Sequence, residues 1–154
     1  MMILGSNKTC LEVEEIKKYH KNRYPWFFVD EISIVDKGVA EGTKAFSCNE
    51  FFSKSGCVTV PNFIVGEALE QTALMTFMEK NSGMLTNTVS SDMEYFQEVS
   101  CGDVLFLRAE LKNFCRGIAK VCTMARIDNK VVCKGVFVIA VPDVMNAFCQ
   151  NNYN

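Results

Sequence analysis

Segment 62–80 constrains the fold most, because it predicts a long helix that is apolar on almost every face. The segment contains no proline and one glycine, and it is rich in Ala, Leu, Met, Glu and Gln, which favour helix. Asn62 can cap this helix after Pro61. The side chains that encircle it are Phe63, Ile64, Val65, Ala68, Leu69, Ala73, Leu74, Phe77 and Met78. Such a helix has to be covered on all sides, so we expect other structure to wrap around it.

The chain after Ser82-Gly83 predicts β-strands. Leucine or alanine recurs at every second position from Leu105 to Leu111, which gives a strand one apolar face. Asp128-Asn129 predicts the turn of a hairpin. The predicted strands are 84–96, 104–114, 118–127 and 131–141.

The residues before the long helix predict a short helix and a hairpin. Segment 11–21 is acidic and then basic, an order that suits the dipole of a surface helix. Strands 26–35 and 39–47 flank Lys37-Gly38 and predict a hairpin. Because helices do not alternate with strands, the order predicts an α+β fold with a mostly antiparallel sheet curled around the long helix. We expect residues 143–154 to fray or to pack on a neighbouring molecule.

Composition favours one soluble domain covering residues 1–154. About half of the residues are apolar, and no internal repeat or flexible linker divides the chain. Its 16 basic and 18 acidic residues leave a charge of −2, which argues against a nucleic-acid partner. Without a long apolar run or a secretory segment, we expect no membrane insertion and a cytoplasmic location.

The eight cysteines predict neither a metal site nor disulfides. No C-x-x-C pair occurs, and no histidine lies close to any cysteine in the sequence. We therefore expect free thiols, most of them buried among apolar side chains. No cofactor is expected.

Four motifs carry a family resemblance, and they occur in the expected order. They are Arg23-Tyr24-Pro25 with Trp26-Phe27-Phe28-Val29-Asp30, then Asn49-Glu50-Phe51-Phe52, then segment 61–71, and then Cys101-Gly102-Asp103. Together they resemble motifs of the hot-dog-fold (3R)-hydroxyacyl-acyl-carrier-protein dehydratases of fatty-acid synthesis. The resemblance extends over about residues 12–141.

The resemblance implies a fold, an assembly and a substrate class. It implies a hot-dog fold, with the sheet wrapped around the helix. It also implies a homodimer, or a higher oligomer built from it, in which the sheets join edge to edge and acyl tunnels follow the interface. The implied substrate is an acyl thioester on acyl carrier protein or coenzyme A.

Glu67 matches the catalytic carboxylate of these enzymes. Its position one turn into an apolar helix suits a group that transfers protons. The backbone amides of Asn62 and Phe63 match the groups that would polarise the thioester carbonyl, and Gln71 would support Glu67. Without the resemblance, Glu67 would be interpreted as a carboxylate that hydrogen-bonds Gln71 or reaches solvent.

The catalytic histidine of the family has no counterpart in this sequence. Counting back from Glu67 places Ser53 at its position, whereas counting forward from Phe52 places Ser55 there. Neither serine is a base without activation. The one histidine of the chain, His20, is expected to be exposed near the end of the first helix.

Three functions remain open from the sequence. The first is dehydration of 3-hydroxyacyl thioesters with altered machinery, in which Glu67 acts as both base and acid and the reaction is slow. The second is a hot-dog thioesterase that activates water with one carboxylate. The third is a non-catalytic acyl-binding protein, or a partner subunit for a homologue that supplies the histidine.

Overall fold

The computed structural model describes residues 9–53 and 59–151, and this part of the chain forms a seven-stranded antiparallel sheet against one long helix. The sheet has the strand order β1-β2-β3-β7-β8-β9-β5, and β4 and β6 pair separately. The strands are β1 (Thr9–Glu12), β2 (Glu31–Asp36), β3 (Val39–Ala45), β4 (Thr59–Val60), β5 (Asn87–Tyr95), β6 (Val99–Ser100), β7 (Val104–Cys115), β8 (Ile118–Ile127) and β9 (Lys130–Ala140). The helices are α1 (Val13–Ile16), α2 (Asn62–Leu74) and α3 (Pro142–Asn151), with a 3-10 helix at Met78–Lys80.

Helix α2 is the wrapped core helix that the sequence predicts. Most of its side chains are buried, and it packs on β3, β7, β8 and β9. Leu105, Leu107 and Ala109 of β7 are buried too, so the predicted alternation identifies the inner face of the sheet correctly. The sheet therefore supplies the cover that an apolar helix requires.

The helix differs from its prediction at both ends. Pro61 occupies the N-cap position, so Asn62 is the first helical residue and does not cap the helix. At the other end, the Thr76 hydroxyl donates to the Ala73 carbonyl at 2.7 Å. The Phe77 amide turns instead to the Leu74 carbonyl, at 3.3 Å. This competition for the Ala73 carbonyl tightens the backbone, and α2 ends at Leu74 instead of continuing to residue 80.

The two predicted hairpins are present, whereas the predicted helix at 11–21 is mostly wrong. Strands β2 and β3 turn at Gly38, and β8 and β9 turn at Asp128, which has a positive φ. In segment 11–21, Leu11 instead pairs with Ile32 of β2 and is buried. Only the four residues of α1 are α-helical there, because the apolar Leu11 contributes more as part of the sheet than as part of a surface helix.

The C-terminal segment forms a docked helix up to Asn151, which corrects the expectation that it frays there, and residues 152–154 lie outside the described residues. Gly117, in the turn between β7 and β8, has a φ of +82°, and a Cβ there would lie 2.6 Å from Met145 Cγ. The absence of a side chain at Gly117 lets α3 approach the turn closely. The Arg116 guanidinium also lies over the Phe148 ring, 4.8 Å from its centroid.

Most cysteines of the described residues are not buried. Cys133 is buried, and burial raises the pKa of its thiol to about 11. Cys101 and Cys122 are half-buried, whereas Cys10, Cys48, Cys115 and Cys149 are exposed. The expectation of mostly buried thiols is therefore wrong for this part of the chain, since strand alternation and chain ends direct these side chains outward. Cys57 lies outside the described residues.

None of the described helices is both long enough and apolar enough to cross a membrane. Within residues 9–53 and 59–151, no group of three or more His, Cys, Asp and Glu side chains is placed to hold a metal ion.

Candidate functional site

Gln71 connects α2 to the chain segment that leads into β2. Its side chain is fully buried, and its Oε1 accepts a hydrogen bond from the Phe28 amide at 2.8 Å. Its Nε2 donates to the Trp26 carbonyl at 3.2 Å and to Glu67 Oε1 at 3.0 Å. A buried amide with partners on both ends is held in one orientation. Gln71 therefore fixes the position of the Glu67 carboxylate.

Glu67 lies on the second turn of α2 and is half-buried. It hydrogen-bonds Gln71, as the simpler interpretation of the sequence requires, and it also keeps contact with solvent. A carboxylate that is held by a neighbour and still accessible can exchange a proton with a bound molecule.

The start of α2 provides the backbone amides that the sequence singles out. The Ile64 amide donates to the Pro61 carbonyl at 3.0 Å, so the amides of Asn62 and Phe63 lie ahead of this hydrogen-bond ladder. Both residues are exposed. Backbone amides at a helix start can donate hydrogen bonds to an oxyanion. The amides of Asn62 and Phe63 lie within two turns of Glu67.

An aromatic cluster lies at this helix start, formed by the exposed rings of Trp26, Phe51 and Phe63 and by the buried ring of Phe28. The rings of Trp26 and Phe63 stack at 6.3 Å with an angle of 13° between their planes. Trp26 also lies 6.2 Å from Phe51, and Phe28 lies 6.1 Å from Phe51. Phe63 is 60% exposed, Phe51 47% and Trp26 42%. The motifs that contain these residues were identified in the sequence, but their meeting around α2 depends on tertiary structure.

Lys44 holds the 49–53 segment beside this cluster. Its ammonium lies 3.4 Å from Asp30 Oδ1 and 3.2 Å from Glu50 Oε1, although the lysine is almost fully buried. Asp30 Oδ2 also accepts a hydrogen bond from the Ala45 amide at 2.7 Å. A buried ammonium with two carboxylate partners is compensated electrostatically and restrains both segments.

Ser53, one of the two positions matched to the family histidine, is half-buried at the end of this segment. Its amide donates to the Glu50 carbonyl at 2.8 Å, and the Cys101 thiol lies 3.9 Å from its hydroxyl oxygen. Ser55, the other position, lies outside the described residues.

His20 is buried, which corrects the expectation of an exposed side chain. It is 3% exposed and stacks on Phe27, with 5.6 Å between ring centroids. Neither ring nitrogen has a hydrogen-bond partner among the described residues. Burial lowers the pKa of His20 to about 4, and the charge of Arg23 lowers it further in the same direction. The polar neighbours of His20 in the sequence conceal that the chain turns inward there.

Glu70 is a second carboxyl on α2 that was not predicted from the sequence. It is half-buried and accepts a hydrogen bond from the hydroxyl of Thr88, on β5. Burial raises the pKa of Glu70, and the charge of Glu67 acts in the same direction, whereas the Thr88 hydrogen bond lowers it. The spacing from Glu67 could have revealed it, because residues three apart on a helix are neighbours.

The comparisons with known proteins agree with this architecture. The chain is 32% identical over 138 residues to the 3-hydroxyacyl-[acyl-carrier-protein] dehydratase FabZ of Clostridioides difficile (strain 630), which covers 85% of this chain and 97% of the relative. No protein-family model matches the chain.

Two solved structures illustrate the shared fold. The dehydratase heterocomplex ApeI:P from Xenorhabdus doucetiae superposes with a TM-score of 0.70 at 12% identity, covering 82% of this chain and 90% of that one. A hypothetical thioesterase with coenzyme A from Streptococcus pneumoniae TIGR4 gives a TM-score of 0.60 at 17% identity, covering 71% and 83%.

The fold is thus the predicted α+β hot-dog fold, a sheet around one helix. The chain belongs to the FabZ family of 3-hydroxyacyl-[acyl-carrier-protein] dehydratases. The resemblance seen in the sequence motifs is confirmed.

Proposed function

We propose that the protein eliminates water from 3-hydroxyacyl thioesters carried by acyl carrier protein or coenzyme A. The observation that carries this proposal is the half-buried Glu67 carboxylate, fixed by Gln71 next to the exposed amides at the start of α2. The curated relative at 32% identity is named for this reaction.

The elimination needs a base, an acid and a group that stabilises the enolate. Glu67 removes the proton from C2, and the amides of Asn62 and Phe63 stabilise the negative charge on the thioester oxygen. The C3–O bond then breaks as the C2–C3 double bond forms.

Glu70 is the second carboxyl available for the departing hydroxyl. Side chains three residues apart on a helix have their Cβ atoms about 5–6 Å apart, so Glu67 and Glu70 can address neighbouring carbons of one substrate. In this proposal protonated Glu70 gives its proton to the hydroxyl, which leaves as water. The proton gained by Glu67 then returns to Glu70 and restores the starting state. The sequence suggests that Glu67 acts as both base and acid. This proposal instead assigns the two roles to two carboxyls.

Pairing of two copies through β5 belongs to the same proposal. Strand β5 is the last strand of the sheet, and its one strand partner among the described residues is β9. Most of its residues are exposed, including Val89 at 64%. An open and exposed edge of this length is a template for another strand, and a second copy would enclose an acyl tunnel between the subunits.

Two alternatives have support from the structural neighbours. The neighbour described as a hypothetical thioesterase with coenzyme A favours hydrolysis, in which Glu67 would activate water. The neighbour described as a heterocomplex favours a partner subunit, which would act only beside a second chain.

The deciding experiment compares wild-type protein with Glu67→Gln in two assays on the same acyl thioesters. Hydration of crotonyl thioester measures the reverse of dehydration, and thiol release measures hydrolysis. We expect hydration by the wild type and a loss of at least about 10²-fold in Glu67→Gln, because the variant lacks the base.

The matched control is Glu79→Gln, an exposed glutamate of the 3-10 helix, which should retain the wild-type rate. Thiol release without hydration would favour the thioesterase. Activity that appears only after a histidine-bearing homologue is added would favour the partner subunit, and equal rates in wild type and Glu67→Gln would exclude Glu67 from the chemistry.

A further inference from the structure

A cavity lies beyond the C-terminal end of α2, away from the Glu67 site. It has a volume of about 590 Å³ and is bounded by the end of α2, the turn between β2 and β3, and the end of β7. Thr76 in its wall is nine residues beyond Glu67, or about 13 Å along a helix. The cavity also lies on the β2, β3 and β7 side of the sheet, whereas β5 is the opposite edge. We call it the distal pocket.

The inner walls of the distal pocket are apolar. They are formed by Ile34, Met75, Phe77, Leu111 and Phe114. The rings of Phe77 and Phe114 stack at 5.6 Å with 17° between their planes, which makes one wall flat and rigid. The volume of the distal pocket lies within the range of roughly 300–1,000 Å³ that is typical of small-molecule sites. Such walls favour a hydrocarbon ligand, because the hydrocarbon removes apolar surface from water.

The polar groups deeper in the pocket are already used within the protein. The Thr76 hydroxyl donates to the Ala73 carbonyl at 2.7 Å, and the Asn81 side-chain amide donates to the Phe77 carbonyl at 2.9 Å. The Thr76 hydroxyl proton and one of the two Asn81 amide protons are therefore not available to recognise a polar ligand inside the pocket. An alkyl chain needs no donors.

The charged side chains around the pocket are mainly basic. Lys37, Lys80 and Lys112 come from three different elements, and Glu79 is the acidic residue of the lining. Lys112 pairs with Glu110 at 2.7 Å, whereas Lys37 and Lys80 form no ion pair with any described residue. This concentration of positive charge occurs in a chain with a net charge of −2. It is complementary to an anionic head group.

We propose that the distal pocket binds a long-chain carboxylate, with its alkyl chain along the Phe77–Phe114 wall and its carboxylate between Lys37 and Lys80. The apolar walls favour the alkyl chain of the ligand, and the two lysines favour its negatively charged head group. This binding does not depend on the proposed enzymatic activity.

The test is calorimetric titration of the full chain with dodecanoate. We expect saturable binding by the wild type and about tenfold weaker binding by the Lys37→Glu/Lys80→Glu double variant, because two attractive contacts become repulsive. Glu79→Gln should bind more tightly than wild type. Lys130→Glu, the same charge change at an exposed residue of β9, should bind as wild type does.

A pocket-filling variant separates this site from any binding of dodecanoate near Glu67. Ile34→Trp should abolish the distal binding, whereas Glu67→Gln should retain it. Dodecanol, which has the same chain without the charge, should bind more weakly than dodecanoate.

Unchanged thermal unfolding of each variant establishes that it is folded. Equal affinity in wild type, the double lysine variant and Ile34→Trp would overturn the proposal, and so would the absence of any binding. Because binding is measured without turnover, this outcome is independent of whether the protein dehydrates thioesters.

Discussion

Gln71 donates a hydrogen bond to Glu67 at 3.0 Å from one turn further along the same helix. The other end of the same amide accepts from the Phe28 amide at 2.8 Å. One buried side chain thus determines both where the candidate catalytic carboxylate lies and where the aromatic segment before β2 lies. A change at Gln71 should therefore affect stability and activity together.

Gln71→Leu tests this double role. The variant leaves the buried Phe28 amide without its partner, which costs about 1–3 kcal/mol of unfolding free energy. It also frees Glu67 to move, so we expect kcat to fall at least about tenfold. Chemical denaturation and the hydration assay measure the two effects.

Gln97→Leu is the matched control, since Gln97 is exposed and donates to the Val131 carbonyl at 3.3 Å. It should change the unfolding free energy by less than about 0.5 kcal/mol. If Gln71→Leu matches Gln97→Leu in both measurements, the positioning role is wrong.

The pH dependence of the rate tests Glu70. If protonated Glu70 is the acid, activity falls as pH rises through its pKa, and burial places that fall above the usual range of a carboxyl. Thr88→Val removes the hydrogen bond that lowers the pKa, so the alkaline fall should move to higher pH. Glu70→Gln should lower kcat about 10²-fold and remove this limb. A Glu70→Gln variant with the wild-type rate and profile would exclude Glu70 as the acid.

His20 predicts a loss of stability at acid pH. Its pKa is about 4 in the folded protein and about 6.5 when unfolded, so between these values the unfolded chain binds more protons. Folding stability therefore falls as pH decreases through this window, by about 2 kcal/mol from pH 7 to pH 5. His20→Phe, which can still stack on Phe27, should remove this part of the pH dependence. Parallel denaturation curves over pH 5–7 for the two proteins would contradict the prediction.

Val89→Lys tests pairing through β5. A lysine on an edge strand opposes association with another strand, so the variant should shift the protein from dimer towards monomer in light scattering. Val104→Lys is the control, because Val104 is exposed but lies on β7 inside the sheet. A dimer of equal stability in both variants would place the interface elsewhere.

The sequence predicts the parts of this fold that depend on a regular pattern of apolar residues. The inner face of β7 and the all-round apolar surface of α2 follow from spacing alone, and the turns at Gly38 and Asp128 follow from local residue preferences. The end of α2 does not follow from spacing, because it depends on the Thr76 hydroxyl, which competes for the Ala73 carbonyl. The docking of α3 also escapes local patterns, since it depends on the space that Gly117 leaves for Met145.

The candidate site is predicted less completely than the fold. The family motifs identify Glu67 and Gln71, and their contact follows from helical spacing. Burial raises the pKa of Glu70. This burial depends on the strand order, which brings Thr88 of β5 next to α2. The sequence neighbours of His20 are polar, whereas its ring stacks on Phe27 in the folded chain. Only the tertiary structure shows that His20 is buried.

The burial of His20 has a chemical consequence for the whole molecule. Since the chain has one imidazole and that imidazole is enclosed and uncharged, the proton transfers proposed for this chain near neutral pH fall to carboxyl groups. Carboxyls titrate too low for that task unless their surroundings oppose ionisation. The working range of such a protein is then adjusted by how much water reaches its acids, so that small packing changes around α2 act as changes in acid strength.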